Sequence, residues 1–582
     1  MRLTRHVSLR ESPLRHYATR PLPPALASRR IRSRYSHSIT SSAYPERIAV
    51  LGGGVAGLSS AYFVSREFPQ SKITVFEAGK DAGGWLKSKK VAVPGGEVLF
   101  EQGPRTLRNA TVTAHLCQEL GIVDDITYTR RDAPAAQNRY IYYPDRLNQL
   151  PTKIPSPSEF LALWRSGILR GAIIGIPREP FVRKREDAIT DETIGSFLTR
   201  RVHRRLADNV VSAVFHGIYA GDIWRLSAKT LLPQAWHLEG RYGSALGGFY
   251  TLQKESGRPL EQQLDEKTMS VDQHVLAHPM AIESAQAMND EFDIEEDFVS
   301  KMQNASTFTF KNGLQHLITS LQKAVAKRGN VEIKVNCPVQ SHAPVGNNGR
   351  GVVVTTGHPD STTTQTFDLA ISTLRNPALT PYVTVQTVNL YYSTPNLHPY
   401  QGFGYLIPQS VPFEQNPERA LGVIFDSSAT SGQDSVDGTK LTVMLGGHWW
   451  DGWANYPDEE EALDMAKSVL ARHLNISAEP TASHVHLSRD CIPQYTLGYQ
   501  DRLTSYHEQI SQDFKGRLRL VGNQVNGVGV NDVIQGSWNL ARDLSDDGWK
   551  DGGGTGLERG TDTSPWEMVG ITQLEYAKIV GS

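Results

Sequence analysis

One glycine-rich turn constrains the fold of this chain more than any other feature. It spans residues 52–57, directly after the apolar run Arg47 to Leu51, and a second apolar run, Lys72 to Phe76, leads into Glu77. This spacing predicts a strand, a tight turn, a helix and a parallel second strand, which together form a dinucleotide-binding unit. The residues of the turn are Gly52, Gly53, Gly54, Val55, Ala56 and Gly57.

Each of three glycines in the turn has a separate task in such a unit. Gly52 permits the sharp bend, Gly54 lets the backbone approach a pyrophosphate, and Gly57 lets the helix pack closely against the strand. The free N–H groups and the partial positive charge at the start of the helix favour phosphates. Glu77 is placed to accept hydrogen bonds from a ribose.

Length and composition narrow the class of protein. A chain of 582 residues is too long for a single core, and its hydrophobic share of 39% is typical of globular proteins. No segment approaches the roughly 18 to 20 consecutive apolar residues of a membrane-spanning helix. The three cysteines lie far apart, so neither a disulfide framework nor a metal site is predicted, and we expect buried free thiols at Cys117, Cys337 and Cys491.

The first 43 residues differ in composition from the rest of the chain. They contain nine Arg, eight Ser and a single acid, Glu11. This composition is typical of a mitochondrial transit peptide, although a disordered basic tail would share it. Without this segment, whose net charge is +8, the formal charge of −1 becomes −9. An acidic body argues against nucleic acid as a partner.

Two further glycine motifs favour a flavin over a nicotinamide. Flavoproteins of the amine-oxidase type often extend the nucleotide fingerprint with a glycine pair such as Gly83-Gly84, although they usually carry Arg where this chain has Asp81. Near the other end, residues 517–521 predict a buried strand, followed by glycine turns at 522–523 and 527–530 and then a helix. A helix N-terminus there would face the flavin end of an FAD molecule, where negative charge accumulates on reduction.

With these motifs the sequence resembles the protoporphyrinogen oxidase family of amine-oxidase-like flavoproteins. The resemblance covers most of the region from residue 46 to residue 543. Each motif is short, but the order of the series is specific to this family. The motifs are Gly83-Gly84-Trp85, Gly103-Pro104-Arg105-Thr106, Ala135 to Tyr140, His216 to Asp222, Gly402 to Leu406, Met444 to Gly447 and Ile492 to Gly498.

The resemblance implies the residues that line FAD. They are Gly52, Gly53, Gly54, Val55, Ala56, Gly57, Glu77, Trp85, Gly103, Pro104, Arg105, Thr106, Val339, Asn523, Val528, Gly529 and Val530. The residues themselves support part of this set, because Gly103-Pro104-Arg105 offers a tight turn with a cation that suits a flavin edge or a substrate carboxylate. Without the resemblance, Arg105 would read as a surface turn.

The resemblance also implies a substrate site for a large, mostly apolar tetrapyrrole with two carboxylates. Arg139 matches the arginine that holds a propionate, and its planar fork suits a carboxylate. Phe403, Leu406 and Met444 match positions that sandwich the macrocycle, and Gly217 and Ile218 match a second wall. Without the resemblance, Phe403, Leu406 and Met444 would be interpreted as core residues of strands.

The implied reaction is the oxidation of protoporphyrinogen IX to protoporphyrin IX in the penultimate step of haem synthesis. Six electrons pass through FAD to three O2, giving three H2O2, and the sequence names no acid or base for catalysis. An FAD-dependent amine oxidase and a non-enzymatic prenyl-protein escort of related fold are the alternatives. We expect peripheral attachment to the mitochondrial inner membrane, and a homodimer is one arrangement that the sequence leaves open.

These motifs divide the predicted α/β chain into a two-piece Rossmann-like FAD-binding domain, a mixed α+β substrate domain and a helical membrane-binding lobe. Residues 281–301 show little periodicity, so the insertion is expected to be partly irregular, and the glycine-rich tail is expected to be loosely ordered. The predicted ranges are 1–43 for the transit peptide, 46–131, 307–375 and 490–545 for FAD binding, 149–245 for the lobe, 132–148 and 376–489 for substrate, 254–306 for an insertion and 546–582 for a C-terminal extension.

Overall fold

The structure is a computed structural model that describes residues 44–151, 156–255, 274–346, 350–358, 360–550 and 553–570. The predicted transit peptide, residues 1–43, lies outside the described residues.

A five-stranded parallel sheet carries the glycine-rich turn. Its first two strands, Arg47–Leu51 and Lys72–Phe76, have the bounds that the sequence predicts, and helix Val55–Glu67 connects them. The predicted parallel, Rossmann-like core is therefore confirmed. In order across the sheet, the strands are Val331–Lys334, Lys72–Phe76, Arg47–Leu51, Leu369–Ser372 and Leu518–Leu520.

The first strand of this sheet is apolar throughout because both of its faces are buried. Ile48 and Val50 pack in one cluster with Leu58 and Ile534 from two helices. Ala49 and Leu51 pack on the opposite face in a second cluster. Since successive side chains of a strand alternate between faces, a buried parallel strand reads as a continuous apolar run.

A seven-stranded, mostly antiparallel sheet forms the second large element. One face packs against helix Glu459–Leu474 through Tyr405, Val423 and Val443. The opposite face carries Leu406 and the other alternate residues. In order across the sheet, the strands are Ala482–Pro493, Tyr382–Tyr392, Thr439–Gly446, Ala420–Phe425, Gly404–Leu406, Arg139–Tyr142 and Leu147–Leu150.

The smaller sheets are hairpins and paired strands around these two. The three-stranded sheet contains Val339–Pro344, Val352–His358 and Ser361–Phe367. The paired strands are Ser88–Val93 with Gly96–Glu101, Ile126–Arg130 with Ala305–Phe310, and His274–Ala277 with Glu567–Gly570.

The helices lie between the strands and form one largely helical segment between residues 156 and 255. The α-helices are Val55–Glu67, Thr111–Glu119, Pro134–Gln137, Pro157–Ser166, Arg170–Arg178, Ile194–Arg201, Arg204–Leu206, Ser212–Tyr219, Ala228–Leu231, Pro233–Tyr242, Ala245–Glu255, Pro279–Glu291, Glu296–Asn304, Gln315–Lys327, Asp426–Ala429, Glu459–Leu474, Tyr499–Phe514, Val530–Asp546 and Glu558–Thr561. Shorter helical turns are Val123–Asp125, Glu179–Phe181, Ala207–Val211, Phe413–Gln415 and Gly447–Trp450.

Buried ion pairs hold the helical segment together. Nε of Arg201 donates to Glu179 Oε1 at 2.8 Å, and Nη1 of Arg185 donates to Glu239 Oε2 at 2.9 Å. Burial alone would raise the pKa of Glu179, but Ser244 and Arg201 hold that pKa below its ordinary value. Removal of either partner would leave a buried charge uncompensated, which costs about 3 to 5 kcal/mol.

The surface of the same segment is unusually apolar. In the part of the chain that the structure describes, no single helix has the length and composition to cross a membrane. One pair of helices, Ser158–Ser166 and Arg170–Phe181, reaches that length and composition only when the two are counted together, and the pair is bent by 103°. Large apolar side chains stand exposed along this segment. They are Phe160, Leu161, Trp164, Ile174, Ile176, Phe181, Ile189, Val214, Ile218, Leu246, Phe249 and Tyr250.

Two expectations of irregular structure are wrong for the residues that the structure describes; residues 256–273, 551–552 and 571–582 of these segments lie outside them. Residues 281–301 contain most of helix Pro279–Glu291 and part of helix Glu296–Asn304, whose Met288, Phe298 and Met302 are buried in the core. The C-terminal extension also packs on the body, since strand Glu567–Gly570 pairs with strand His274–Ala277. Neither segment shows a long periodic pattern, because each is fixed by contacts with distant parts of the chain.

Candidate flavin and substrate site

The two predicted glycine turns, from opposite ends of the chain, meet in the structure. Ser59 on helix Val55–Glu67 and Ser537 on helix Val530–Asp546 lie 3.0 Å apart between their Oγ atoms. Ser537 Oγ also donates to the carbonyl of Ala56 at 3.2 Å. The second turn itself approaches the first, since a Cβ on Gly522 would lie 3.8 Å from Ala56 Cβ, as a two-piece nucleotide site requires.

The backbone of the first turn leaves a cradle that a side chain would fill. A Cβ on Gly57 would lie 1.8 Å from the carbonyl oxygen of Gly52, so the helix could not pack closely with any other residue there. A Cβ on Gly54 would meet only Gly84 Cα, at 3.8 Å, which leaves the space above the helix N-terminus open. Gly54 caps that helix without a side-chain hydrogen bond, so the first N–H groups are free for a phosphate.

Glu77 is fixed at the end of the second strand, beside the turn. Its Oε2 accepts the N–H of Gly53 at 2.9 Å, and its Oε1 accepts the N–H of Gly79 at 2.7 Å. Each carboxylate oxygen has a further lone pair, so Glu77 retains the capacity to accept ribose hydroxyls. Its carbonyl accepts the N–H of Cys337 at 2.8 Å, which places Val339 nearby.

The predicted flavin-side residues lie in two loops that pack together. Gly103 lies against Trp85, because a Cβ on Gly103 would be 2.6 Å from the carbonyl oxygen of Trp85. Pro104 is exposed, and Thr106 is half-buried in the same loop. Trp85 is 38% exposed, which is unusual for a tryptophan and leaves a ring face open.

The structure shows Arg105 in an ion pair rather than on a surface turn, and its contact with FAD stays a prediction. Arg105 is buried, and its Nε lies 2.9 Å from Oδ1 of Asp426, which is also buried. Thr442 donates to the other carboxylate oxygen of Asp426 at 2.6 Å. Arg105 therefore fastens its loop to the seven-stranded sheet. No sequence motif points to Asp426, since the two residues are distant along the chain.

The second turn is held by hydrogen bonds to its own helix and to neighbouring strands. Gly529 donates its N–H to Asp532 at 3.2 Å, and Asn523 Nδ2 donates to the carbonyl of Cys491 at 3.2 Å. Val528 and Val530 lie partly or wholly buried beside it. The residues present thus fit an FAD molecule that spans both turns.

Four residues of the seven-stranded sheet form a row on the face opposite helix Glu459–Leu474, where Ile141 is buried against the helical segment and Leu406 and Met444 are half-buried. Strand pairing places Ile141 opposite Leu406, Leu406 opposite Gly422, and Gly422 opposite Met444. Directly paired residues project from the same face, so this row is apolar across four strands. Gly422 has no side chain, and the side chain of Leu406 lies beside it, since a Cβ on Gly422 would be 3.0 Å from Leu406 Cδ2. Register, which the sequence does not reveal, brings the predicted macrocycle-binding residues together.

Helix Ser212–Tyr219 lies over this row. A Cβ on Gly217 would lie 2.9 Å from Leu406 Cδ1, and the next residue, Ile218, is 49% exposed. Behind the helix, the Nε2 atoms of His216 and His448 are 2.8 Å apart. Burial lowers the pKa of His216 to about 3 and that of His448 to about 4, so both rings are neutral at physiological pH.

Arg139 stands at the end of the row, beside Phe403. Its guanidinium carbon lies 5.5 Å from the centroid of the Phe403 ring, within range of a cation–π contact. Its Nη1 donates to the carbonyl of Ala135 at 2.7 Å. Among the described residues, no carboxylate forms an ion pair with Arg139. The candidate substrate site is therefore an apolar surface with a cation at one edge, next to the dinucleotide-binding turn.

Comparison with known proteins agrees with this geometry. A family model described as flavin-containing amine oxidoreductase matches residues 55–545 of the chain. The chain belongs to this family. As a flavin-containing amine oxidoreductase it is an FAD-dependent oxidase, and the mixed α/β fold with a parallel core is the fold of that family.

Several curated relatives are named protoporphyrinogen oxidase, and one from Staphylococcus aureus, 23% identical over 522 residues, is named coproporphyrinogen III oxidase. The protein named protoporphyrinogen oxidase from Schizosaccharomyces pombe is 35% identical over 520 residues, covering 86% of this chain and 98% of the relative. The human protein of the same name is 30% identical over 515 residues, covering 84% and 96%. A solved structure from Exiguobacterium sp. 255-15, provisionally named protoporphyrinogen oxidase, has a TM-score of 0.61 at 17% identity, covering 86% of this chain and 98% of that one, and shares the fold.

Proposed function

We propose that this flavin-containing oxidase converts protoporphyrinogen IX to protoporphyrin IX, the penultimate step of haem synthesis. Six hydrogens leave the substrate in three cycles, and three O2 become three H2O2. The proposal rests on one observation above others, the apolar row of Leu406, Gly422 and Met444, with Arg139 two residues before Ile141 on the adjoining strand. A flat, mostly apolar molecule with a carboxylate edge is complementary to that surface.

FAD, when bound, supplies a hydride acceptor that O2 reoxidises. The backbone around Gly54 and the N-terminus of helix Val55–Glu67 would hold its phosphates, Glu77 its ribose, and the Gly527 to Val530 turn its flavin end. The row of apolar residues and Ile218 would hold the plane of the macrocycle. Arg139 would hold a propionate and thereby select which carbon bridge faces the flavin.

In the proposed mechanism the protein orients the substrate and does not act as an acid or a base. His216 is buried and His448 is half-buried, and this neutral pair next to Gly217 can support the wall of the site. Pyrrole protons can pass to water. The apolar surface excludes competing polar reactions, which is the remaining task of the site.

We further propose that the protein acts at the mitochondrial inner membrane, as a peripheral protein. The composition of residues 1–43 supports import, and the exposed apolar side chains on helices Pro157–Ser166 and Arg170–Arg178 support seating in a membrane surface. A substrate this apolar is delivered more readily from a membrane than from water. A homodimer remains compatible with this proposal.

The test uses purified, FAD-loaded protein in air, supplied with protoporphyrinogen IX or with coproporphyrinogen III, a porphyrinogen with four carboxylates. Porphyrin fluorescence and H2O2 are followed together. One porphyrin for every three H2O2 with protoporphyrinogen IX supports the proposal. Turnover of coproporphyrinogen III alone would retain the enzyme class and reject the substrate.

An amine oxidase is the second candidate, because the family includes such enzymes. Arg139 opposes it, since a cation at the edge of the site repels a protonated amine. Turnover of a polyamine without turnover of either porphyrinogen would favour it. The escort alternative is not supported, because family membership assigns an oxidase.

A further inference from the structure

The charge at the edge of the apolar row is not balanced within the described residues. Arg139 contacts backbone carbonyls and the Phe403 ring but no carboxylate. Arg105, the other cation that the sequence suggested, is neutralised by Asp426. One arginine would therefore face a substrate that carries two carboxylates.

Arg108 lies in the loop that Arg105 fastens to the sheet. Asp426, the partner of Arg105, directly follows strand Ala420–Phe425, and the N–H of Phe425 donates to the carbonyl of Phe403 at 3.0 Å. The loop therefore runs past the end of the sheet at which Phe403 and Arg139 stand.

The other side of the loop is fixed at Arg108 itself. Asn531, at the start of helix Val530–Asp546, donates from Nδ2 to the carbonyl of Arg108 at 2.8 Å. Thr113 in turn donates to Asn531 Oδ1 at 2.8 Å. The backbone of Arg108 is thus held between the helix that begins at the flavin turn and the edge of the substrate sheet.

The side chain of Arg108 is exposed and uncommitted. Within the described part of the chain its guanidinium makes no hydrogen bond or ion pair. Helix Asp426–Ala429, which begins at the partner of Arg105, contacts helix Pro134–Gln137, and Arg139 donates to the carbonyl of Ala135 in that helix. The loop of Arg108 and the side chain of Arg139 are therefore neighbours, and burial and then the charge of Arg108 lower the pKa of Arg139. Asp532 also experiences the charge of Arg108, but its carboxylate is occupied by the N–H of Gly529.

Two neighbouring arginines that form no ion pair among the described residues repel each other, and an anionic ligand between or beside them relieves that repulsion. We propose that Arg108 binds the second carboxylate of the substrate, while Arg139 binds the first. This inference rests on the proposed function, since it assigns both ends of a dicarboxylate. Protoporphyrinogen IX carries its two propionates on adjacent pyrrole rings, so two cations along one edge match it.

The experiment measures binding of protoporphyrin IX, the air-stable product, and of its dimethyl ester to the FAD-loaded full chain. The variants are R108Q, R139Q and the double variant, and FAD absorbance checks that each one is loaded. R130Q is the matched control, because Arg130 is an exposed arginine on strand Ile126–Arg130 that pairs with Asp132. We expect R108Q to weaken diacid binding about tenfold, to leave ester binding unchanged, and to add its loss to that of R139Q.

Three outcomes would overturn the inference. Diacid affinity of R108Q equal to that of R130Q would mean that Arg108 does not touch the ligand. An equal loss for diacid and ester would mean a structural role for Arg108. A double variant no weaker than R139Q would mean that both arginines serve one carboxylate.

Oxidation of protoporphyrinogen IX by the wild-type protein, measured in parallel, separates this inference from the proposed function. Turnover with no effect of R108Q rejects only the role of Arg108. Absence of turnover rejects the substrate assignment, and selective diacid binding that depends on Arg108 would still establish a two-carboxylate site.

Discussion

The guanidinium carbon of Arg139 lies 5.5 Å from the centroid of the Phe403 ring, so the cation and the aromatic plane of the candidate site are held by each other. The contact restricts the guanidinium to one side of Phe403, at the end of the apolar row. A propionate bound by Arg139 would therefore fix the position of the macrocycle relative to Phe403.

Replacement of Arg139 tests that coupling. Arg139→Ala is expected to lower kcat/KM for protoporphyrinogen IX about ten- to a hundredfold, because a charge-assisted hydrogen bond contributes roughly 1.5 to 3 kcal/mol. Arg139→Lys keeps the charge but not the fork and should lose less. Steady-state kinetics with Arg130→Ala as the control decide the matter. Unchanged KM and kcat in Arg139→Ala would show that Arg139 does not hold the substrate.

Two glycines of the first turn should respond differently to the same substitution. A Cβ on Gly57 collides with the carbonyl of Gly52 at 1.8 Å, so Gly57→Ala should destabilise the protein even without cofactor. A Cβ on Gly54 meets nothing closer than 3.8 Å, so Gly54→Ala should fold normally but bind FAD weakly, since the methyl group enters the phosphate cradle. Melting temperature of the apoprotein and flavin absorbance after reconstitution separate the two effects. Normal FAD content in Gly54→Ala would place the phosphates elsewhere.

Glu101 should make stability depend on pH. Burial raises its pKa to about 7 in the folded protein, above the ordinary value near 4.5, although Ser88 and the N–H of Leu314 hydrogen bond to it. The folded state then binds more protons than the unfolded state. The contribution of Glu101 is therefore fully present below about pH 4.5 and is lost as pH rises to about 7, a change on the order of 3 kcal/mol.

Glu101→Gln removes this titration. Relative to the wild-type protein, the variant should gain stability between about pH 5 and pH 8, as measured by its melting temperature at each pH. Glu97→Gln is the control, because Glu97 is an exposed residue of the same strand, Gly96–Glu101. If the melting temperatures of Glu101→Gln and the wild-type protein differ by the same amount at about pH 5 and pH 8, Glu101 does not titrate in this range.

The C-terminal strand should contribute to stability through one of its faces. Val569 is 4% exposed, whereas its neighbour Met568 is 39% exposed. Val569→Asp would bury an unpaired charge and should cost on the order of 2 to 4 kcal/mol, while Met568→Asp should cost little. The melting temperatures of the two variants, compared with that of the wild-type protein, test this prediction. Similar melting temperatures for both would indicate that residues 567–570 do not pack on the body in solution.

The sequence by itself determined the parallel core and the class of protein. Arg47–Leu51, residues 52–57 and Lys72–Phe76 are contiguous, and local propensity, apolar patterning and glycine spacing within this short segment all specify the same unit. The order of the motifs between Gly83 and Gly498 likewise identified the family without any contact being known. Such signals are local, so one chain is enough to read them.

Only the tertiary structure decided which distant residues share a site. Register placed Leu406, Gly422 and Met444 in one row, and the ion pair with Asp426 removed Arg105 from the set of free cations. The tertiary structure also showed that the helices within residues 279–304 and the strand Glu567–Gly570 are ordered by packing against distant segments. Strand register and ion pairing join residues far apart along the chain, and their free energies depend on burial and geometry that no local pattern records.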